Sequence, residues 1–352
     1  MPDMTPPSAT DPRDTSVGVG PASRLAVGRR VSVRYRLPAG AEAGATDVVG
    51  VLVSRDDETL VVDGRKGLVT VRTGDVIAAK EVPAAPSRPG PAHARISPGD
   101  LERLMSDAWP AVERDGLGSW ILRASSGFTG RACSVLPVGD PTLPLDRAVD
   151  YVEKWYAERG QQPIVQVFGE PGFRVEDVPA GTAFLARGYT AGGGRTDWER
   201  VLVMTAPSAA VPPLTESSVP VVADSRLTPE WLMAYGEQRS VVPGVTEAVL
   251  SGREGVLFLS VRDEATGRLI GIARMAIDPG WAGMFAVWVD PAHRRRGIAT
   301  TMTQAVAMVA RENTMPSMYL QVSAANTDAV RLYEGLGFTV HHEYTYLVAP
   351  QT

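Results

Sequence analysis

The chain has 352 residues, a length that favours more than one hydrophobic core, because single cores stop growing at roughly 250–300 residues. Hydrophobic residues make up 44 % and charged residues 21 %, and 35 Lys and Arg against 40 Asp and Glu leave a net charge of -5, which argues against a general nucleic-acid binder with its basic excess. The one cysteine, Cys133, excludes an internal disulfide and fits a reducing, cytoplasmic setting; no apolar run reaches the roughly 20 residues that span a bilayer, and none of the four histidines has a metal-ligand spacing.

Residues 1–22, rich in Pro, Ser, Thr and Asp and without an apolar core segment, read as a disordered tail and not as a secretory signal. Residues 23–82 change character. Four β-branched runs, Val31–Tyr35, Val48–Val53, Thr59–Val62 and Leu68–Val71, alternate with turn signals such as Asp63-Gly64 and Thr73-Gly74-Asp75. Short strands joined by tight turns predict a small all-β barrel, similar to SH3-like barrels. Arg29, Arg30, Arg34 and Arg36 lie among Asp47, Asp56, Asp57 and Glu58, so they read as a solvated surface. Residues 83–98 form a linker rich in Pro and Ala.

The remainder contains an internal repeat. In its first half, Leu145, Val149, Val152 and Tyr156 mark a helical face, followed by a strand at Pro163–Phe168, then Leu185–Tyr189, then a strand at Val201–Met204. In its second half, Ile298, Met302, Val306 and Val309 mark a helix, followed by a strand at Met318–Val322, a short helix from Thr327, Leu336-Gly337-Phe338, and a final strand. The matching order predicts two related α/β domains, 99–206 and 213–350. The second has a fuller front, with Val256–Val261 and Leu269–Ile277 as an antiparallel pair. His341 and His342 open the last strand, where alternation puts one inward and one outward in a structural role. Trp231, Tyr235 and Glu237 fall on one helix, and Cys133 reads as a small buried hydrophobe.

One segment carries chemistry. An apolar strand, Phe285–Val289, ends at Asp290-Pro291 and delivers a loop with Arg294, Arg295, Arg296 and Gly297 to a helix starting at Ile298, Ala299 and Thr300. A glycine loop feeding a helix N-terminus is an anion site: first-turn N–H groups lack internal partners, and the helix dipole adds positive potential. Gly297 allows close backbone approach, Ala299 leaves the first turn open, and the arginines suit a pyrophosphate or a sugar phosphate.

Arg294-Arg295-Arg296-Gly297-Ile298-Ala299 resembles the R/Q-x-x-G-x-G/A signature of the GNAT superfamily of N-acetyltransferases. Asn326–Phe338, read as NTDAVRLYEGLGF, resembles the family's second cofactor-side segment. The resemblance implies an α/β (α+β) GNAT fold, a mixed sheet flanked by helices, here in two tandem copies behind a small all-β SH3-like barrel, an arrangement similar to some actinobacterial acetyltransferases. It implies acetyl-CoA as co-substrate, no metal, and an amine acceptor on a small molecule or protein. By the same resemblance Val287, Trp288 and Val289 offer backbone groups to the pantetheine arm, Asn326 contacts the cofactor, and Tyr333 protonates the departing thiolate. Asn326 also suits a helix N-cap, and Tyr333 also suits a packed core position. The first copy departs from the signature: Val138–Pro144 has two prolines and an aspartate where the loop should be, so it is expected to bind no acetyl-CoA, and to brace the second copy and shape the acceptor groove. The strand before the signature has no carboxylate until Asp290, where many family members carry a glutamate base. That gap leaves open a catalytically idle acyl-CoA sensor with a partner-binding barrel as the alternative.

Overall fold

The computed structural model describes residues 25–38, 44–64, 67–82, 90–216 and 218–350; the tail 1–22 and the first part of the linker lie outside the described residues. The chain divides into two compact units, Met1–Val82 and Pro83–Thr352.

In the first unit, β1 (Arg30–Arg36), β2 (Ala45–Arg55), β3 (Thr59–Gly64), β4 (Gly67–Arg72) and β5 (Val76–Glu81) form an all-antiparallel sheet in the order β4-β3-β2-β1-β5. Period-2 alternation sends Val31, Val33, Leu52, Leu60 and Val62 inward, where all are fully buried. Strand β5 has no counterpart among the four runs read from the sequence. Its Val-Ile-Ala-Ala-Lys-Glu lacks alternation and is mostly exposed, and it is held by main-chain pairing to β1.

The second unit begins with α1 (Ala92–Arg95), inside the stretch read as linker, then α2 (Pro98–Ala108), β6 (Glu113–Leu117), β7 (Trp120–Ala124), α3 (Leu145–Ala157), β8 (Ile164–Gly169), α4 (Pro179–Leu185), β9 (Thr190–Ala191), α5 (Thr196–Glu199) and β10 (Val201–Pro207). It continues through β11 (Val222–Asp224), α6 (Pro229–Gly236), α7 (Val245–Ser251), β12 (Val256–Arg262), β13 (Leu269–Asp278), β14 (Trp281–Val289), α8 (Ile298–Glu312), β15 (Ser317–Ser323), α9 (Thr327–Gly335) and β16 (Thr339–Val348). Ser97 starts α2 by accepting from the Asp100 amide at 3.0 Å, with Pro98 in the first turn; Thr228 starts α6 in the same way, ahead of Pro229.

The two repeat halves share one sheet, in the order β11-β12-β13-β14-β15-β10-β16-β8, with β9 also on β16. Strand β10, which ends the first half, sits between β15 and β16 of the second. Strand β16 returns the exchange: Thr339–Tyr344 pairs with β10, Glu343–Val348 pairs with β8 of the first half, and Leu347 and Val348 also pair with β9. Each half thus completes the other's sheet. Glu343 lies at the crossover and is clamped by Arg200, the residue before β10, through a two-pronged pair at 2.6 and 2.8 Å.

Helices α8 and α9 cover one face of the sheet, burying Ile298, Met302, Val306, Tyr333 and Leu336 against Met284, Met318 and Leu320. The other face is covered by α2, α6 and α7, which pack Leu101, Trp109, Trp231 and Leu250 against Phe285, Tyr319, Tyr344 and Tyr346. Alternation along β14 and β15 assigns neighbouring residues to opposite faces, so the two cores are separated by the sheet itself.

Candidate functional site

The functional geometry starts from two irregularities in β14. The first is a bulge: Ile272 pairs with Trp288 but Arg274 pairs with Phe285, so Ala286 and Val287 oppose Ala273 alone, and Ala286 takes φ +52°. The second is a parting of strands. Strands β14 and β15 run parallel, but their register ends at Met284↔Leu320. Beyond it Phe285–Val289 stays tied to β13 on one side only, leaving its β15-facing backbone edge open. An unpaired strand edge of alternating N–H and C=O groups can take an extended, amide-bearing ligand arm. Val287, Trp288 and Val289 lie on this edge; Val287 and Val289 face the α8 side, and Trp288 is buried on the other. The Gln238 amide reaches the Val287 carbonyl at 3.5 Å, the outer limit of a hydrogen bond.

The strand then turns into the loop. Asp290 is committed: it caps the short turn Pro291–His293 through the Ala292 amide at 2.8 Å and pairs with Arg268 and His293. Those contacts, the amide first, hold its carboxyl below the usual range, so it serves the turn and is not free as a base. Arg294, Arg295 and Arg296 are exposed, and Arg295 takes φ +58°. Gly297 is the N-cap of α8 at φ +79°, with no side-chain cap over the helix start and no atom within 4 Å of where a Cβ would stand. The amides of Ile298, Ala299 and Thr300 therefore face open space beside three guanidinium groups. Such an arrangement can hold a pyrophosphate, and its chemistry fits the phosphate end of an adenine-nucleotide thioester.

Asn326 caps α9, accepting from the Ala329 amide at 3.3 Å, and remains exposed. Tyr333 is 6 % exposed, with its ring edge-on to Phe338 at 5.8 Å. Burial pushes its phenol up to about 12, so it keeps its proton throughout the neutral range. The segment Val138–Pro144 of the first half starts α3 at Pro144, without a glycine cap or a side-chain cap. No cluster of three or more His, Cys, Asp or Glu side chains suited to a metal occurs among the described residues, and no described helix is long and apolar enough to cross a membrane.

Three sequence readings turn out differently or more sharply. His341 and His342 are both buried, not one in and one out, because His341 is the extra residue of a bulge between Val203↔His342 and Met204↔Val340. The His341 Nδ1 meets the His342 Nδ1 at 2.8 Å, while their Nε2 atoms face the Ile96 carbonyl and the Glu102 carboxylate, each at 3.0 Å. Gln166 and Arg123 extend this buried chain at 2.7 and 2.8 Å. Trp231 and Tyr235 are core residues of α6, and Glu237 is exposed beyond it. Cys133 is buried, its thiol pushed up by desolvation.

Sequence reasoning missed the aromatic and cationic cluster on the far face of the opened strands. Trp109 stacks on Phe285 at 5.4 Å, and both rings carry two guanidinium groups, Arg131 at 4.9 and 5.4 Å and Arg274 at 5.1 and 5.4 Å. Arg274 had a legible signal: it is a lone charge in an apolar run, Leu269–Ile277, that is buried on both faces. Arg131 and Trp109 had none, since they come from the other half of the repeat.

The family model described as "Probable histone acetyltransferase Rv0428c C-terminal" matches residues 99–347, and that described as "Rv0428c N-terminal Sm-like domain" matches residues 25–80. The chain is 35 % identical over 141 residues to the "Probable histone acetyltransferase Rv0428c" of Mycobacterium tuberculosis, a match spanning 40 % of this chain but only 44 % of that protein. It is 23 % identical over 265 residues to the "Uncharacterized N-acetyltransferase YobR" of Bacillus subtilis, spanning 70 % of this chain and 97 % of that protein. Among solved structures, a GCN5-related N-acetyltransferase from Kribbella flavida superimposes with a TM-score of 0.52 at 14 % identity, over 72 % of this chain and 96 % of that one. A tandem GNAT protein from the clavulanic acid biosynthesis pathway superimposes with a TM-score of 0.50 at 14 % identity, over 75 % and 91 %. At such identities the likeness speaks for the fold.

Proposed function

The chain belongs to the GNAT N-acetyltransferases, in the family described as "Probable histone acetyltransferase Rv0428c C-terminal", and on that footing we propose that it moves an acetyl group from acetyl-CoA to a primary amine of a small molecule or protein. The observation carrying this reading is the continuity of β14 and α8. The strand edge that opens at Met284 leads, through the Arg294–Arg296 loop, to a helix start capped by glycine.

Bound acetyl-CoA would supply a thioester carbonyl open to attack by a neutral amine. The first-turn amides of α8 with Arg294, Arg295 and Arg296 hold the phosphates. The backbone of Val287, Trp288 and Val289 holds the pantetheine arm, and the N–H near Val289 polarises the carbonyl. Asn326 fixes the start of α9 beside the arm. Tyr333, kept protonated by burial, donates a hydrogen bond to the sulfur as the C–S bond breaks and the C–N bond forms, while the amine's proton leaves to solvent.

A second reading has one observation in its favour. Strand β14 carries no carboxylate from Trp281 to Val289, and Asp290 is committed to its turn, which suits an acyl-CoA sensor that does not turn over. Calorimetric titration with acetyl-CoA, followed by thiol release over an amine panel, separates the two. Binding with turnover supports the transferase, binding with no turnover on any amine supports the sensor, and no binding overturns both.

A further inference from the structure

The proposed phosphate cradle lies at the start of α8, which packs on one face of the sheet, so an acceptor that approaches the opened strands from the opposite face meets the side that carries Phe285. That residue is the first beyond the end of the β14–β15 register, and its side chain points away from α8. On that face stand Arg131 and Arg274, each within 5.4 Å of both the Trp109 and the Phe285 ring centroids.

The charge of the two guanidinium groups is not balanced. Arg274 is fully buried; its Nε donates to the Leu250 carbonyl at 2.7 Å and its Nη1 to the Ala108 carbonyl at 2.9 Å, but its Nη2 has no partner. Desolvation, with Arg253 and Arg131 adding repulsion, pulls Arg274 down to about 9. Arg131 is half-buried and forms no ion pair among the described residues. Two buried carboxylates of this core are committed elsewhere: Asp278 to Arg253 at 2.6 Å and to the Tyr319 hydroxyl at 3.0 Å, and Glu102 to Gln166 and His342. Two like charges thus share one desolvated aromatic cluster, and Arg131, the half-buried one, is the group that an incoming small anion can reach.

The position of Arg131 is enforced. Its loop takes φ +48° at Ser126 and +60° at Thr129, and Trp109 Nε1 donates to Thr129 Oγ1 at 3.1 Å. Gly130 sits so close to Tyr346 that a Cβ there would lie 2.8 Å from the ring. The first half of the repeat, without a phosphate loop of its own, contributes this arginine to the second half's acceptor face.

We propose that the acceptor is an amine that also carries a carboxylate, and that Arg131 binds that carboxylate on the Phe285 side of the opened strands, with the buried charge of Arg274 adding to the attraction. This rests on the acetyltransferase reading above. It excludes a blocked, internal lysine side chain as the preferred acceptor, because such a side chain brings a cation and no anion.

The test uses the full chain and matched pairs: glycine with glycinamide, lysine with lysinamide, and a lysine peptide blocked at both ends. CoA thiol release gives kcat and KM, and titration of each amine into CoA-loaded protein gives affinity. The expected result is that the acid of each pair exceeds its amide by about 10- to 100-fold in kcat/KM, mainly through KM, as loss of a hydrogen bond to a charged group implies. Arg131→Gln should bring the ratio close to one, and Arg131→Lys should restore part of it, with acetyl-CoA affinity measured in each variant to confirm folding. Acids and amides that bind and react alike overturn the proposal. So do an acid preference that survives Arg131→Gln, a blocked lysine peptide used best, and acids that neither bind nor react. Failure of the wild type to bind acetyl-CoA overturns the acetyltransferase reading instead.

Discussion

Gly297 combines two demands in one position. Its φ of +79° is costly for any residue with a Cβ, and the space beyond its Cα is kept empty. Gly297→Asp adds strain and a negative charge at the phosphate cradle, so acetyl-CoA binding should be lost by calorimetry while the circular dichroism spectrum is kept; wild-type affinity would remove the loop from the site. Tyr333→Phe keeps the ring packed on Phe338 and removes only the hydroxyl. Turnover should fall by about 10-fold or more with acetyl-CoA affinity within about twofold, and unchanged turnover would leave the tyrosine as packing alone. At Glu343 the Arg200 guanidinium holds the carboxyl below its ordinary value. A depressed folded-state carboxyl stabilises above its unfolded value and loses that contribution as the pH falls through and below the ordinary carboxylate range. Arg200→Gln should therefore move the acid-unfolding midpoint upward. The shift should be modest, because the Arg200 side chain is 58 % exposed.

The exchange of β10 and β16 has consequences for elements as units. A fragment covering only 213–350 would leave the β15 edge and one edge of β16 without β10, exposing unpaired backbone that favours aggregation. We expect it to be insoluble, or to bind a hydrophobic dye strongly, where residues 90–352 do not; a folded, monomeric 213–350 fragment would refute the interdependence. The buried chain from His341 through Glu102 to Arg123 ties β16 to α2 and β8. Glu102→Ala should lower stability by about 1–3 kcal/mol in urea unfolding, since it strands His342 and Gln166 without their acceptor. The elements themselves were largely legible. Strong 3.6-residue periodicity marked α3 and α8, and alternation marked β1 to β3. Strand β5 and the bulges at Ala286 and His341 were not, because they arise from strand pairing and leave no local pattern.

The whole molecule is two units, with every residue of the proposed cofactor site between Val287 and Tyr333 in the second. Residues 90–352 without the first unit should bind acetyl-CoA within about twofold of the full chain; a larger loss would give the first unit a part in the cofactor site. What the sequence by itself determined was the local form of the loop to which we assign the cofactor phosphates. A phosphate-binding loop is local: a strand end, a glycine and a helix start are consecutive residues, so their spacing carries the geometry. What only the tertiary structure decided was how the two repeats interlock and which groups gather around Phe285. Strand exchange depends on which edges pair across more than a hundred residues. Arg131, Trp109 and Arg274 meet around Phe285 only after that sheet has formed, so no window of sequence contains them together.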